Sequence, residues 1–259
     1  MNKNEKKLFI KKHLELIENI CDIHERIKGI DISLMELYPI SIVSENIFFV
    51  FDLDHTKKKY EYKMEYKSTM DIPDNVLAAF PLDFYCDKIS AVVTPNAFEC
   101  IEDMVYMFHE FVHCYQFSYY ETNLKNTLNV AQEAMEKQDY MWEIKYPFPY
   151  EDEIFMYWTK KLNEGYDIVK YHKELYSKLK QNDFEYMVWQ EWKEGYARYI
   201  ENLVREKLNL KKNTNILVPP FDRTCFYEIG SRYIEKLVND NTNKTVDLEK
   251  MFTKMKNCE

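Results

Sequence analysis

Apolar residues recur at mixed three- and four-residue steps along residues 5–29: Leu8, Phe9, Leu14, Ile17, Ile20, Ile23 and Ile27. That spacing keeps them on one helical face and predicts an amphipathic helix ended by Gly29. The period then changes. Ile47-Phe48-Phe49-Val50-Phe51 is a continuous apolar run, followed by the polar turn Asp54-His55-Thr56-Lys57. Residues 60–66 alternate strictly. The two segments predict a β-hairpin with Tyr60, Tyr62, Met64 and Tyr66 on its buried face. A shorter strand is expected over 89–93, just before Thr94-Pro95-Asn96.

Beyond Pro95 the pattern is helical, with helices expected near 96–121, 123–138, 151–180, 183–209, 223–238 and 247–257. Asn96 is placed to cap the first of these, with Glu99 three residues on as its capping-box partner. No repeat or low-complexity linker interrupts the chain. The plan is α+β and predominantly helical. A small N-terminal lobe (1–94) combines an antiparallel sheet with a helix, and a helical lobe follows (95–259), the two forming one functional unit.

The 259 residues are 46% hydrophobic and 16% aromatic, enough for one substantial core or two lobes sharing a cleft. A net charge of −9 argues against nucleic acid as a partner, and the Lys57-Lys58-Lys59 and Lys211-Lys212 runs read as solvated loops. The first twenty residues are charged throughout and lack a signal-peptide core. No apolar run is long enough to span a membrane. Six scattered cysteines without a C-x-x-C pair suit reduced thiols and a cytoplasmic protein.

Within the 96–121 segment, Ile101, Val105, Phe108, Val112 and Tyr115 form the expected buried stripe. The same segment reads His109-Glu110-Phe111-Val112-His113. Two histidines four apart project from one helical face about one turn apart, so both imidazoles can reach a single zinc ion. Glu110 is displaced by one position, where it can touch a water at the ion without occupying the ion. The alternative is a pair of ordinary polar residues on an exposed helix face. Gln116, three after His113, shares its face and is placed to orient a ligand. Cys114 points elsewhere and reads as core, while His13, His24, His55 and His172 have no second ligand at useful spacing.

A catalytic zinc site takes three protein ligands and a water. Two downstream stretches offer a carboxylate beside a glycine, Asn163-Glu164-Gly165-Tyr166 and Trp192-Lys193-Glu194-Gly195-Tyr196-Ala197-Arg198-Tyr199. Glu191 is a third choice. The chain has four glycines, and one inside a helix costs about 1 kcal/mol relative to Ala. Gly165 is simply explained by a break in a long helix. Gly195, followed by the small Ala197, implies a close approach between helices.

The segments H-E-F-V-H and W-K-E-G-Y-A-R-Y-I-E together resemble the gluzincins, zinc metallopeptidases in which a second helix carries E-G-x-A-x-Y and supplies a glutamate ligand. The resemblance covers about thirty positions. It implies a zincin-like fold with His109, His113 and Glu194 as zinc ligands and Glu110 as general base, with Glu164 as the second choice for third ligand. It also implies a peptide or protein substrate. The helix over 223–238 contains Y-x-x-G at Tyr227, similar to a helix that follows the glutamate helix in several gluzincins. That makes Tyr227 the expected oxyanion donor, with Tyr233 and Arg232 as alternatives.

Two departures stand beside the match. About eighty residues separate His113 from Glu194, so two extra helices are expected between the ligand helices. The G-x-M-E-N segment of related aminopeptidases is absent, and Ser90-Ala91-Val92-Val93-Thr94 precedes the motif helix instead. The 89–93 strand is expected as an exposed edge able to pair with an extended peptide. Two other functions fit the same residues: a catalytically silent zinc-binding or regulatory protein, and a zinc hydrolase of a non-peptide amide. The intact Glu110 counts against the silent one.

Overall fold

The computed structural model describes residues 1–69, 71–240 and 247–258. Its fold is α+β and predominantly helical. The chain divides into two compact units, one of residues 1–118 and 200–212, the other of 119–199 and 213–259.

The first unit begins with helix α1 (Lys3–Ile27), which opens on a capping box between Asn2 and Glu5. Ile17, Ile20, Ile23 and Ile27 are buried as expected, whereas Leu8 faces solvent. Five strands follow: β1 (Ile40–Ser44), β2 (Ile47–Asp54), β3 (Lys59–Lys67), β4 (Leu77–Leu82) and β5 (Lys88–Val93). Their order is β3-β2-β1-β5-β4, and β1 pairs with β5 in parallel. The sheet is therefore mixed, not the antiparallel one expected. The missing piece is β1, whose short Ile-Ser-Ile-Val-Ser run gives little periodicity and hides the partner of β5.

The same topology overturns a second expectation. β5 is an inner strand, paired with β1 on one side and β4 on the other, and Val92 is fully buried. It offers no edge to a peptide. The expected tyrosine face of β3 also divides. Between Val50 and Phe51 the register shifts by one residue, so Tyr62 pairs with Phe51 but Met64 with Val50. A bulge flips every later side chain to the opposite face. Tyr60 is buried on one side, while Met64 joins Val43, Phe48, Val50, Leu82 and Val92 on the other. Tyr66 stacks on Phe84 at 4.0 Å.

Helix α2 (Ile101–Gln116) packs on β4 and β5, which is why it groups with the sheet and not with the helices beyond residue 94. It begins later than expected. Residues Pro95–Phe98 form a 3₁₀ turn, and Asn96 accepts a hydrogen bond from Thr94 Oγ1 instead of capping α2, whose N-cap is Cys100.

The second unit holds α3 (Thr122–Lys125), α4 (Asn129–Glu136), α5 (Trp142–Lys145), α6 (Glu153–Asn163) and α7 (Ile168–Tyr176). Where two helices were expected between the segments of His113 and Glu194 there are five short ones. Pro147 and Pro149 follow α5, and Gly165, at φ +91°, separates α6 from α7. Asp152 and Asp167 then cap α6 and α7. The long helix α8 (Gln181–Lys207) runs through this unit up to Tyr199 and continues into the first. Next come α9 (Cys225–Asp240) and α10 (Leu248–Asn257).

Around α8 lies an aromatic core. Trp189 and Trp192 are fully buried, and Trp192 Nε1 donates to the Leu248 carbonyl at 3.0 Å. α8 and α9 touch at glycine: a Cβ on Gly195 would lie 2.5 Å from the Cα and carbonyl carbon of Gly230. The close approach expected at Gly195 is present.

Candidate metal centre

From Met107 to Gln116 every residue of α2 is buried. The expected apolar stripe is there in Val105, Phe108, Val112 and Tyr115, but no solvent face opposes it. His109, Glu110 and His113 are each only 6% exposed. The reading of two polar residues on an exposed face fails on that number. Burying such groups costs several kcal/mol unless hydrogen bonds or an ion compensate.

Each imidazole is oriented through its Nδ1. His109 Nδ1 lies 3.1 Å from Oε2 of Glu201, whose other oxygen accepts from Arg205 Nε at 2.7 Å. The guanidinium favours the ionised carboxylate, so the histidine is the donor. His113 Nδ1 lies 2.9 Å from Oε1 of Gln116. An amide oxygen can only accept, so His113 donates as well. Both bonds select the tautomer whose lone pair is on Nε2, the arrangement in which histidines coordinate metals.

Glu194 is 7% exposed and sits seven residues before Glu201 on α8. Seven residues are close to two turns, so the two carboxylates share a helical face. Arg223 Nη1 donates to Glu194 Oε1 at 2.9 Å. Burial alone would lower the Arg223 pKa, but the Glu194 charge outweighs it and holds the guanidinium well above its ordinary range.

One ligand-capable atom each of His109, His113 and Glu194 lies within 4.8 Å of the others, and all three residues are buried. A tetrahedral ion with bonds of about 2.1 Å sets its ligand atoms about 3.4 Å apart, a difference that side-chain rotation can close. Two neutral imidazoles and one carboxylate are a donor set suited to zinc. Among the described residues this is the one such group.

The other candidates lie elsewhere. Glu164 follows the end of α6, is nearly half exposed, and pairs with Lys161 at 2.8 Å. Glu191 is fully buried against His172, with Nε2 to Oε2 at 2.6 Å, and neither belongs to the donor group. Tyr227, half-buried in the first turn of α9, has the guanidinium carbons of Arg198 and Arg223 each 5.5 Å from its ring centroid. Tyr233 is buried against the His172 ring at 4.4 Å, and Arg232 pairs with Glu228 at 2.7 Å.

Sequence reasoning passed over Glu201, Arg205 and Arg223. Glu201 carried a signal, because its distance of seven from Glu194 repeats the helical face. Arg223 carried none, since a loop of seventeen residues separates α8 from α9. No protein-family profile, curated protein or solved structure matches the chain.

Proposed function

We propose that this protein is a zinc-dependent metallohydrolase that cleaves peptide bonds. The observation that carries the proposal is the convergence of His109, His113 and Glu194. It is supported by the buried Glu110 next to His109 and by the resemblance of the two helical segments to the gluzincins.

His109, His113 and Glu194 would hold the ion, with Glu201 and Gln116 fixing the two rings. When bound, zinc supplies Lewis acidity toward a carbonyl and makes water a stronger nucleophile at neutral pH. Glu110 would accept a proton from an attacking water and return it to the leaving amine. Tyr227, whose ring centroid lies 5.5 Å from the Arg223 guanidinium carbon, would donate to negative charge that develops on the substrate. All six cysteines are unpaired, which supports a cytoplasmic location. No described helix is long and apolar enough to cross a membrane.

Metal analysis of the purified protein beside Glu194→Ala and Glu164→Ala tests the site. One zinc per chain is expected in the parent and in Glu164→Ala, and a large loss in Glu194→Ala. A parent protein that holds no zinc after incubation with it removes the proposal.

A further inference from the structure

Arg223 spends little of its hydrogen-bonding capacity on the protein. Nη1 donates to Glu194 Oε1 at 2.9 Å and to Gln190 Oε1 at 3.2 Å, and among the described residues both of its bonds run through that one nitrogen. Its side chain is 30% exposed. A guanidinium has five N–H donors in a rigid plane. With Nη1 engaged, the Nε–Nη2 edge remains, the side-on pair that matches the two oxygens of a carboxylate.

We propose that Arg223 is a substrate-binding residue whose Nε–Nη2 edge takes a carboxylate of a peptide substrate beside Glu194. The inference rests on reading His109, His113 and Glu194 as a metal site. A Glu194 that shares its charge with a divalent ion holds Arg223 less strongly, and the guanidinium then gains more from a second anion. In a chain of net charge −9, a half-buried guanidinium is a local exception at which an anion can be held. The fork favours a planar carboxylate over a single oxyanion because two parallel bonds form at once. That carboxylate is either the free C-terminus of the peptide or an acidic side chain.

The Glu110→Gln protein, expected to bind peptide without cleaving it, separates the two. It is titrated calorimetrically with acetyl-Ala-Ala-Phe, with the C-terminal amide of that peptide, and with acetyl-Ala-Asp-Phe-amide, in added zinc and again after chelation. One of the carboxylate-bearing peptides is expected to bind at least about tenfold tighter than the plain amide. A preference for the free acid assigns the C-terminus, and a preference for the Asp peptide assigns the side chain. Arg223→Met removes the donors and Arg223→Lys replaces the fork with a point charge. Each should erase the preference for a carboxylate-bearing peptide over the amide. Thermal melting checks that both fold, and the Lys variant decides if the Met variant does not.

Equal binding of all three peptides, or a preference that survives substitution in folded protein, overturns the proposal. Zinc uptake without a carboxylate preference leaves the metal site standing and removes this inference. A carboxylate preference in protein that takes up no zinc does the reverse.

Discussion

Nδ1 of His109 on α2 donates to Oε2 of Glu201 on α8 across 3.1 Å, and Arg205 holds the other oxygen of that carboxylate. A histidine fixed in this way presents one tautomer and one ring orientation. Replacing Glu201 by Gln removes the charge and preserves the shape. Zinc affinity should fall by about tenfold or more, measured by competition with a chromophoric chelator. Affinity within twofold of the parent would show that the bond does not position the ligand.

Glu110 is next to His109 in sequence without belonging to the candidate donor group. The Glu110→Gln protein should keep its zinc and lose turnover of peptides by about a hundredfold or more. Peptide cleavage at an undiminished rate would exclude Glu110 as the base.

Glu191 and His172 form a fully buried pair on another part of α8. Glu191→Ala removes a fully buried side chain packed against His172 and should cost about 3 kcal/mol in urea unfolding. Zinc stoichiometry should stay the same, which separates structural damage from loss of a ligand. Loss of the ion would mean that Glu191 coordinates.

The α8–α9 contact predicts that Gly195→Ala and Gly230→Ala are both destabilising, because each new Cβ meets backbone that cannot move aside. A loss of about 2 kcal/mol or more is expected. Gly29→Ala, whose Cβ meets nothing within 4 Å, serves as the control and should change stability by less than about 0.5 kcal/mol. Similar melting temperatures for all three variants would contradict this packing.

Glu143 on α5 shows where acid acts. Burial raises its pKa, but Lys193 and Lys125 outweigh that effect and hold it at about 2, against an ordinary 4.5. Both lysines contact the carboxylate, at 2.8 and 2.6 Å. A depressed carboxylate contributes stability that is present above the unfolded value and is lost as pH falls toward the folded one. In chelated protein, the stability gap between parent and Glu143→Gln should be about 2 kcal/mol at pH 6 and shrink from about pH 4.5 downward. A gap independent of pH would mean that the lysines do not act through its charge.

Sequence alone determined what depends on residues near one another in the chain. The α1 helix, the β2–β3 hairpin, the one-turn spacing of His109 and His113, and the crowding at Gly195 all follow from local periodicity and the cost of a misplaced glycine. Tertiary structure decided what depends on distant partners. The parallel β1–β5 pairing was hidden because β1 is too short to show a period, and the one-residue bulge that splits the β3 tyrosines leaves no mark in an alternating run. The burial of α2 on every side from Met107 to Gln116 comes from contacts that no window along the chain contains. Glu164 and Glu194 offer the same carboxylate beside a glycine. They differ in whether the helix ends at that glycine or runs on to bring Glu201 against His109, and that is a matter of packing.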